Sequence, residues 1–434
     1  MKNTSIELMP GVLLNHTQTD KFKSSFITVS LLSQLSRETA SMNALIPFVL
    51  RRGTTGYENM EKISNRCDEL YGTVIEPIVR CAGEIHCTGF VSSFPEDCFL
   101  PEGESIIRDA INLICDMLLH PVTRGGLFLP SYVESERDKL CDMIASRIND
   151  KRSYSVLRCI EEMCCYEDFS VGSFGSEEDC RSINYKKLTK HYHQLLQTSP
   201  IVITYCGRQS AEKIADCFHD ALCTLPRGEI DYDLGTDIRM NSIEAQPRIY
   251  EEKLDVTQGK LVIGFRLGEY MEKPDRAVLK VFNTVYGGGV TSKLFENVRE
   301  KLQLCYYAGS SYNFYKGILY VSSGIDFDKY EEAKNEILFQ LDEVRKGNVT
   351  ADELEYARAS CISDIRTVLD SPSDVTSFYF SSIITGDEFS PEEYIEMIEK
   401  VSLEDVVAVA KSVECDLIYF LKGDDSPESE AAEP

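Results

Sequence analysis

The two halves of this 434-residue sequence carry the same order of segments, and this repeat constrains the fold more than any single motif. Residues 182–207 and 400–423 each read as a polar helix start, a helix and a short apolar strand that ends on glycine. The two copies lie about 217 residues apart, which is half of the chain. Solenoid repeats are several times shorter than this. The sequence therefore predicts two homologous domains.

Shorter segments repeat in the same order on either side of the middle of the chain. The apolar stretch 26–32 has a counterpart at 261–267, and 90–94 has one at 320–324. Each half reads as a strand, two helices, paired strands, long helices, a last helix and a last strand. This order predicts an α+β fold in which each domain has an antiparallel or mixed sheet with helices on one face.

Two segments outside the repeats lack the pattern of a packed core. The segment between the halves mixes proline, glycine and acidic residues without helical period, so we interpret it as a linker. The end of the chain is acidic and has no large apolar side chain, which predicts disorder. The predicted organisation is a first domain over 1–231, a linker over 232–247, a second domain over 248–423 and a disordered tail over 424–434.

The composition excludes several classes of partner. The formal net charge is -26, and a strongly acidic chain is a poor ligand for phosphate backbones, so we expect no nucleic acid. The charge is typical of a well-solvated surface, and it also fits a chamber that attracts basic peptides. The most apolar helical run, 111–119, is about half as long as a bilayer requires. Since Glu7 interrupts the apolar core of a secretory signal, we expect a cytoplasmic protein that does not enter membranes.

The cysteines and histidines form no recognisable metal or nucleophile motif. The 16 cysteines include no C-x-x-C pair, and without an export signal we expect reduced, mostly buried thiols. His191 and His193 are two residues apart, so on a helix their side chains point in nearly opposite directions and a structural or surface role is expected. No Gly-x-Ser-x-Gly motif of a serine hydrolase is present.

The most specific motif spans residues 286–306. It consists of three glycines at 287–289, then Ser-Lys-Leu-Phe, then Arg299 in Arg-Glu-Lys and, seven residues later, Tyr306. It is not a phosphate-binding loop, because such a loop has lysine before serine or threonine and a longer spacer. We expect the glycines to allow a tight turn and a close backbone approach.

This motif resembles the second domain of the insulinase-like (pitrilysin, M16) metallopeptidases. Arg-Gly-Thr at 52–54 and Leu-Tyr-Gly at 70–72 also fall where that family has them, so the resemblance covers essentially the whole chain. It implies the half-clam of two homologous domains that is typical of the family. It also implies that the arginine holds a peptide carbonyl or terminus and that the tyrosine hydroxyl donates to the substrate carbonyl. The implied substrate-binding residues are Arg299, Tyr306, Gly287, Gly288 and Gly289.

The zinc motif of the active family members is missing. Those members carry His-x-x-Glu-His on the first helix, where two histidines bind zinc and the glutamate activates the bound water. Counting back from Arg-Gly-Thr puts Ala44 and Phe48 at the histidine positions and Pro47 at the general base, where proline also predicts a kinked helix. The third ligand position falls on Met143, or on Asp142 after a slip of one residue. We therefore expect no cofactor on this chain.

The resemblance implies a division of labour between two chains. In two-subunit members, one chain can supply the zinc motif while the other supplies the arginine and the tyrosine. The sequence thus predicts a heterodimer with a zinc-bearing paralogue that acts on a peptide or small protein. Within the family, the chain most resembles the subfamily associated with elongation factor P 5-aminopentanol modification. Two alternatives stay open: an inert homodimeric scaffold or peptide-binding protein, and a zinc peptidase with non-standard ligands.

Overall fold

The computed structural model describes residues 1–423, and the predicted disordered tail, 424–434, lies outside the described residues. The chain forms two compact units, each assembled from three separate segments. Unit 1 comprises Met1–Ala145, Val171–Thr236 and Thr367–Glu388, and unit 2 comprises Ser146–Ser170, Asp237–Arg366 and the segment from Phe389 onward.

The described residues form thirteen strands and fourteen α-helices, together with π-helices at Thr284–Gly288 and Leu294–Lys301. The strands are β1 (Lys2–Met9), β2 (Val12–Gln18), β3 (Ser24–Gln34), β4 (Val74–Ala82), β5 (Ile85–Pro95), β6 (Thr123–Arg124), β7 (Leu127–Phe128), β8 (Ile201–Gly207), β9 (Arg248–Leu254), β10 (Gly259–Arg266), β11 (Cys305–Asn313), β12 (Ile318–Ile325) and β13 (Glu414–Gly423). The α-helices are α1 (Ala40–Leu50), α2 (Met60–Glu69), α3 (Ile107–Leu119), α4 (Pro130–Ser146), α5 (Lys151–Met163), α6 (Glu177–Arg181), α7 (Tyr185–Thr198), α8 (Ala211–Ala221), α9 (Arg276–Asn283), α10 (Tyr330–Arg345), α11 (Ala351–Val368), α12 (Pro372–Thr385), α13 (Pro391–Lys400) and α14 (Leu403–Ser412). Across residues 1–423, none of the helices combines the length and apolarity that a membrane crossing requires.

The two sheets share one topology. The sheet of unit 1 has the order β1-β2-β8-β3-β5-β4, and the sheet of unit 2, read from its β9 edge, has the order β9-β13-β10-β12-β11. The five strands of unit 2 thus match the last five of unit 1, with β1 as an extra edge strand. Both sheets are antiparallel apart from one pair each, β2 with β8 and β9 with β13. The predicted duplicated α+β fold is confirmed.

The middle strands are buried because their sequences are apolar without interruption. In β10, Leu261, Val262, Ile263 and Phe265 are all buried, and β3 is buried along most of its length. Such runs are typical of strands that are covered on both faces. In unit 1, the core forms where α1, α3 and α7 contribute buried side chains beside β3, β5 and β8. The middle strands therefore contribute mainly to the cores of the two units.

Each unit contains one helix from the other half of the sequence. Helix α5 belongs to unit 2, where Cys159 and Met163 pack on β10 and β13. Helix α12 belongs to unit 1 and packs on β3 and β8. Gly264 in β10 makes the first contact possible, because a Cβ atom there would lie 2.7 Å from Sδ of Met163. The main passage from unit 1 to unit 2 follows Thr236, within the predicted linker.

A buried ion cluster ties the loop after α5 to the second sheet. Arg266 has no exposed side-chain surface and lies 2.6 Å from Glu167 and 2.9 Å from Asp416 of β13. Lys316, equally buried, lies 2.7 Å from Glu167. Burial acts to raise the pKa of Glu167, but hydrogen bonds from Arg266 and Lys316 outweigh it and lower that pKa. Removal of one partner would leave an uncompensated buried charge, which is strongly destabilising.

Candidate functional site

Arg299 and Tyr306, which the sequence predicts to bind substrate, lie in one open pocket of unit 2. The pocket has a volume of about 460 Å³ and lies where the second π-helix meets the start of β11. The structure therefore brings Arg299 and Tyr306 to one site, whereas the predicted glycines 287–289 do not line it. The pocket is lined by Arg299, Glu300, Gln303, Leu304, Cys305, Tyr306 and Asp326.

Arg299 lies near the end of the π-helix Leu294–Lys301. The N–H of Leu302 donates to the carbonyl of Asn297, five residues earlier, at 3.1 Å. The other π-helix, Thr284–Gly288, continues α9 up to the glycine loop. π-Helices are rare and occur frequently at functional sites. Here the first contains Gly287 and Gly288 and the second contains Arg299, so both form part of the motif.

The guanidinium of Arg299 is accessible and only weakly paired. Its side chain is 42 % exposed, and Cζ lies 4.7 Å from the centroid of the Phe295 ring. Nε lies 3.6 Å from Oε1 of the neighbouring Glu300, which is itself exposed. Exposed ion pairs of this length contribute little to stability. The fork of N–H donors thus stays available to a carbonyl or carboxylate ligand.

Tyr306 is the extra residue of a β-bulge. Strands β11 and β12 pair in regular register except between Cys305 and Tyr307, where Tyr306 is passed over. A bulge re-aims a side chain, and Tyr306 is 62 % exposed. Its hydroxyl donates to Oδ1 of Asp326 at 3.4 Å, near the limit for a hydrogen bond. A ligand carbonyl can replace so long a bond at little cost.

Five of the seven lining residues were not predicted from the sequence, and two of them, Asp326 and Gln303, shape the pocket. Asp326 follows β12 and reaches Tyr306 only through strand pairing, so no local motif links them. Gln303 has a φ of 51°, a left-handed conformation that is uncommon outside glycine, and it turns the chain from the π-helix into β11. The short spacing between Arg299 and Tyr306 is the signal that could have revealed this turn, because a helix must end and a strand must begin within it.

Cys305 lines the pocket without the properties of a nucleophile. Burial raises the pKa of its thiol, and a hydrogen bond with Ser323 and the charge of Arg299 oppose that rise only in part. The thiolate is the reactive form of cysteine, so a thiol held neutral is inert. The pocket therefore offers hydrogen-bond donors and acceptors, not covalent chemistry.

The three glycines of the motif have different surroundings. A Cβ atom on Gly287 would lie 2.6 Å from Cδ1 of Leu294 and 2.8 Å from a backbone nitrogen of β11. On Gly288 it would lie 2.5 Å from Nδ2 of Asn283, whereas Gly289 has no neighbour closer than 3.4 Å. None of the three has a positive φ. Close backbone approach thus explains the first two glycines, and only Gly288 and Gly289 have exposed surface.

The positions that correspond to the zinc motif lie on α1 in unit 1. Ala44 and Pro47 are buried and Phe48 is half-buried. The helix continues past the proline, since the N–H of Arg51 donates to the carbonyl of Pro47 at 3.1 Å. Beside Pro47 is a void of about 10 Å³ whose walls are mostly aliphatic. Zinc needs nitrogen, sulfur or carboxylate ligands, so these residues do not fit a zinc ion.

The third ligand position offers no replacement. Met143 and Asp142 are both exposed on α4. Glu136, on the same helix, is buried, but its Oε1 lies 3.0 Å from Arg52 and 2.8 Å from Lys139. Within the described part of the chain, no three His, Cys, Asp or Glu side chains cluster in a way that could hold a metal.

His191 belongs to a buried polar cluster that the sequence did not reveal. Its Nε2 lies 2.6 Å from Oδ1 of Asn43, whose Nδ2 lies 3.2 Å from Nδ1 of His86. Burial lowers the pKa of both imidazoles to about 4, so both are neutral at pH 7. Asn43 lies on α1, directly before Ala44, so the cluster joins α1 to α7 and β5 by hydrogen bonds. His191 thus has a structural environment.

Known proteins resemble this chain over its whole length. A family model described as the peptidase M16 inactive domain matches residues 182–361. The probable inactive metalloprotease YmfF of Bacillus subtilis (strain 168) is 28% identical over 415 residues, which cover 95% of this chain and 96% of that protein. The crystal structure of a conserved protein from Enterococcus faecalis V583 has a TM-score of 0.87 at 25% identity and covers 98% of this chain and 99% of its own. A peptidase M16 inactive domain from Pseudomonas fluorescens has a TM-score of 0.79 at 14% identity, with both chains fully covered, which shows a shared fold.

Proposed function

We propose that this chain, a member of the M16 peptidase family of the inactive type, is a non-catalytic subunit that binds peptides for a zinc-bearing paralogue. The observation that carries the proposal is a contrast between two sites. The zinc position on α1 is filled by packed side chains such as Ala44 and Pro47. Arg299 and Tyr306, by contrast, stay exposed in an open pocket. We infer from this contrast that the pocket still binds substrate, although the described residues form no zinc site.

The chemistry of the pocket suits an extended peptide. The guanidinium of Arg299 and the hydroxyl of Tyr306 supply donors for carbonyl or carboxylate oxygens. Asp326 and Glu300 supply acceptors for peptide N–H groups or basic side chains. The net charge of the chain adds a field that favours basic peptides.

The missing catalytic groups point to a second chain. Peptide hydrolysis by this family needs a metal-activated water and a general base, and the side chains of Ala44, Pro47 and Phe48 can provide neither. We place zinc on the partner, a paralogue with an intact His-x-x-Glu-His, and infer a heterodimer that encloses a peptide chamber. The association with elongation factor P modification and the cytoplasmic location rest on the sequence alone.

Reconstitution of peptide hydrolysis from two purified chains tests the proposal. The chain is mixed with the zinc-type paralogue encoded by the same genome, and cleavage of fluorescein-labelled casein is followed for each chain alone and for the mixture. Metal analysis by mass spectrometry gives the zinc content of each. We expect turnover that requires both chains for its full rate, with zinc in the paralogue.

Pocket variants separate this function from a scaffold. Arg299→Ala is expected to lower turnover roughly tenfold or more, since hydrogen bonds that involve a charge are worth about 1.5–3 kcal/mol. Tyr306→Phe is expected to lower it several-fold, since a neutral hydrogen bond is worth about 0.5–1.5 kcal/mol. Arg181→Ala removes an exposed arginine outside the pocket and is the matched control. Full turnover by both pocket variants would favour an inert scaffold, and stoichiometric zinc with activity in this chain alone would overturn the proposal.

A further inference from the structure

We propose that Asn297 is a positioning residue for Arg299: its side-chain amide holds Leu294–Lys301 in π-helical register, and this register presents the guanidinium to the pocket. The inference rests on the proposed function of that pocket. It concerns a residue that does not itself line the pocket and whose side chain faces α10 instead.

The register decides which way Arg299 points. A π-helix closes its hydrogen bonds five residues apart, and an α-helix four, so the π-helix turns through a smaller angle at each residue. Leu294, at the start of the segment, is fully buried, and its Cδ1 fills the space that a side chain on Gly287 would need. From this fixed point to Arg299, the difference between the registers grows to about a quarter of a turn. An α-helical segment would therefore aim Arg299 elsewhere.

The amide of Asn297 is well placed to hold the register. Its Nδ2 donates to the carbonyl of Lys293 at 2.9 Å and to Oε1 of Gln340 at 3.1 Å. In an α-helix, the carbonyl of Lys293 would accept the backbone N–H of Asn297. The side-chain amide competes for this acceptor and links the helix to α10. Oδ1 of Asn297 accepts from Nζ of Lys301 at 3.0 Å, so the side chain is bonded at both ends.

Gln340 is itself oriented by its neighbours. It is buried on α10, and its Nε2 donates to Oε1 of Glu336 at 2.7 Å. This bond leaves Oε1 of Gln340 to face Asn297. Gln340 is buried and Asn297 is half-buried, so leaving the buried end of this amide pair without a hydrogen-bond partner costs free energy. The pair thus ties the register of the π-helix to a firmly packed helix of unit 2.

Two variants of Asn297 that differ in one donor test the inference. Asn297→Asp keeps the shape of the side chain but cannot donate to Lys293, whereas Asn297→Ser can donate to the carbonyl four residues earlier. Affinity for fluorescein-labelled casein peptides is measured by anisotropy on the full chain. The Nε–H resonance of Arg299, assigned by its loss in Arg299→Lys, gives a readout that needs no peptide. We expect Asn297→Asp to lower affinity roughly tenfold and to shift this resonance. Asn297→Ser keeps the bond to Lys293 but loses the bond to Gln340, so it should restore only part of both.

Two further variants keep the test decisive. Lys301→Ala removes only the bond to Oδ1 and should leave both readouts unchanged, and Gln340→Met should lower affinity even where Asn297→Asp fails to fold. The inference would be overturned if Asn297→Asp kept full affinity and an unchanged Arg299 resonance. If Asn297→Asp does not fold, the same result in Gln340→Met would overturn it. An unchanged affinity in Arg299→Ala would instead count against the proposed function of the pocket, and the resonance would still report the register.

Discussion

Met163 of α5 packs against Gly264 of β10 so closely that a Cβ atom at position 264 would come within 2.7 Å of its Sδ. The two residues come from different halves of the sequence. Around them, a buried cluster joins side chains of α5 to Val262, Leu417 and Tyr419 of the second sheet. The contact shows that the helix from the first half is an integral part of the core of unit 2.

Substitution of Gly264 by alanine should destabilise unit 2. The added methyl group overpacks a closed core, which costs about 1–3 kcal/mol. The midpoint of urea denaturation measures the effect, and Gly228→Ala, where the nearest neighbour of a Cβ atom is 3.6 Å away, is the matched control. Met163→Ala should cost less in the Gly264→Ala background than in the parent, because the shorter side chain leaves room for the added methyl group. An unchanged midpoint in Gly264→Ala would contradict the packing described above.

The two halves of the sequence should not fold as separate fragments. A fragment of residues 1–236 lacks α12, and a fragment of residues 237–434 lacks α5, so each sheet would lose a helix that covers it. We expect each fragment alone to be insoluble or to bind hydrophobic dyes, and the co-expressed pair to form a soluble complex. Two soluble fragments with cooperative thermal unfolding, each made alone, would refute this expectation.

Gly287 and Gly289 should respond differently to the same substitution. Gly287→Ala would push Leu294 and the backbone of β11 away, and should lower peptide affinity at least tenfold because the π-helix that carries Arg299 moves. Gly289→Ala meets nothing closer than 3.4 Å and should bind peptide as the parent does. Anisotropy with labelled casein peptides compares the two. Equal affinities would mean that the close approach at Gly287 has no bearing on the pocket.

Acid should destabilise unit 1 through its buried histidines. Burial lowers the pKa of His86 and that of His191 from 6.5 to about 4. Below pH 6.5, these histidines are therefore protonated in the unfolded chain but remain neutral in the folded chain. Stability from this source is complete above pH 6.5 and is lost as the pH falls toward 4. Between pH 7.5 and 5.5, each histidine should cost about 1 kcal/mol.

Urea denaturation at the two pH values measures this loss. His191→Gln retains a donor for Asn43 but cannot titrate, so it should remove one histidine's share of the pH dependence. His219→Gln replaces an exposed histidine on α8 and should leave the dependence unchanged. If His191→Gln and His219→Gln both followed the parent, the cluster could not be the cause.

The fold was predicted well from the sequence because the same order of strands and helices occurs in both halves. An order of strands and helices that occurs twice restricts the topology more than any single propensity, and both sheets follow it. The helix exchange was not predicted, because the local sequence of α5 or α12 does not indicate which of the two sheets the helix packs on. The match between Gly264 and Met163 and the ion pair between Arg266 and Glu167 favour the observed position of α5, and both join residues about 100 positions apart in the chain.

The sequence pointed to two residues that line one pocket, Arg299 and Tyr306, but not to the geometry that brings them together. The resemblance to the M16 family pointed to Arg299 and Tyr306, but no local propensity predicts a π-helix or a β-bulge. Both depend on tertiary contacts, such as the bond from Asn297 to Gln340. Asp326 was not predicted for the same reason, since strand pairing brings it to the pocket.

The exchange of α12 also sets the order in which the protein can mature during synthesis. Unit 1 needs the segment Thr367–Glu388, which leaves the ribosome after most of unit 2 has been made. At about 5–20 residues per second, the interval between Thr236 and Glu388 lasts on the order of 10–30 s. During this interval, the face of the first sheet that α12 covers stays exposed. We therefore expect the nascent chain to bind ribosome-associated chaperones.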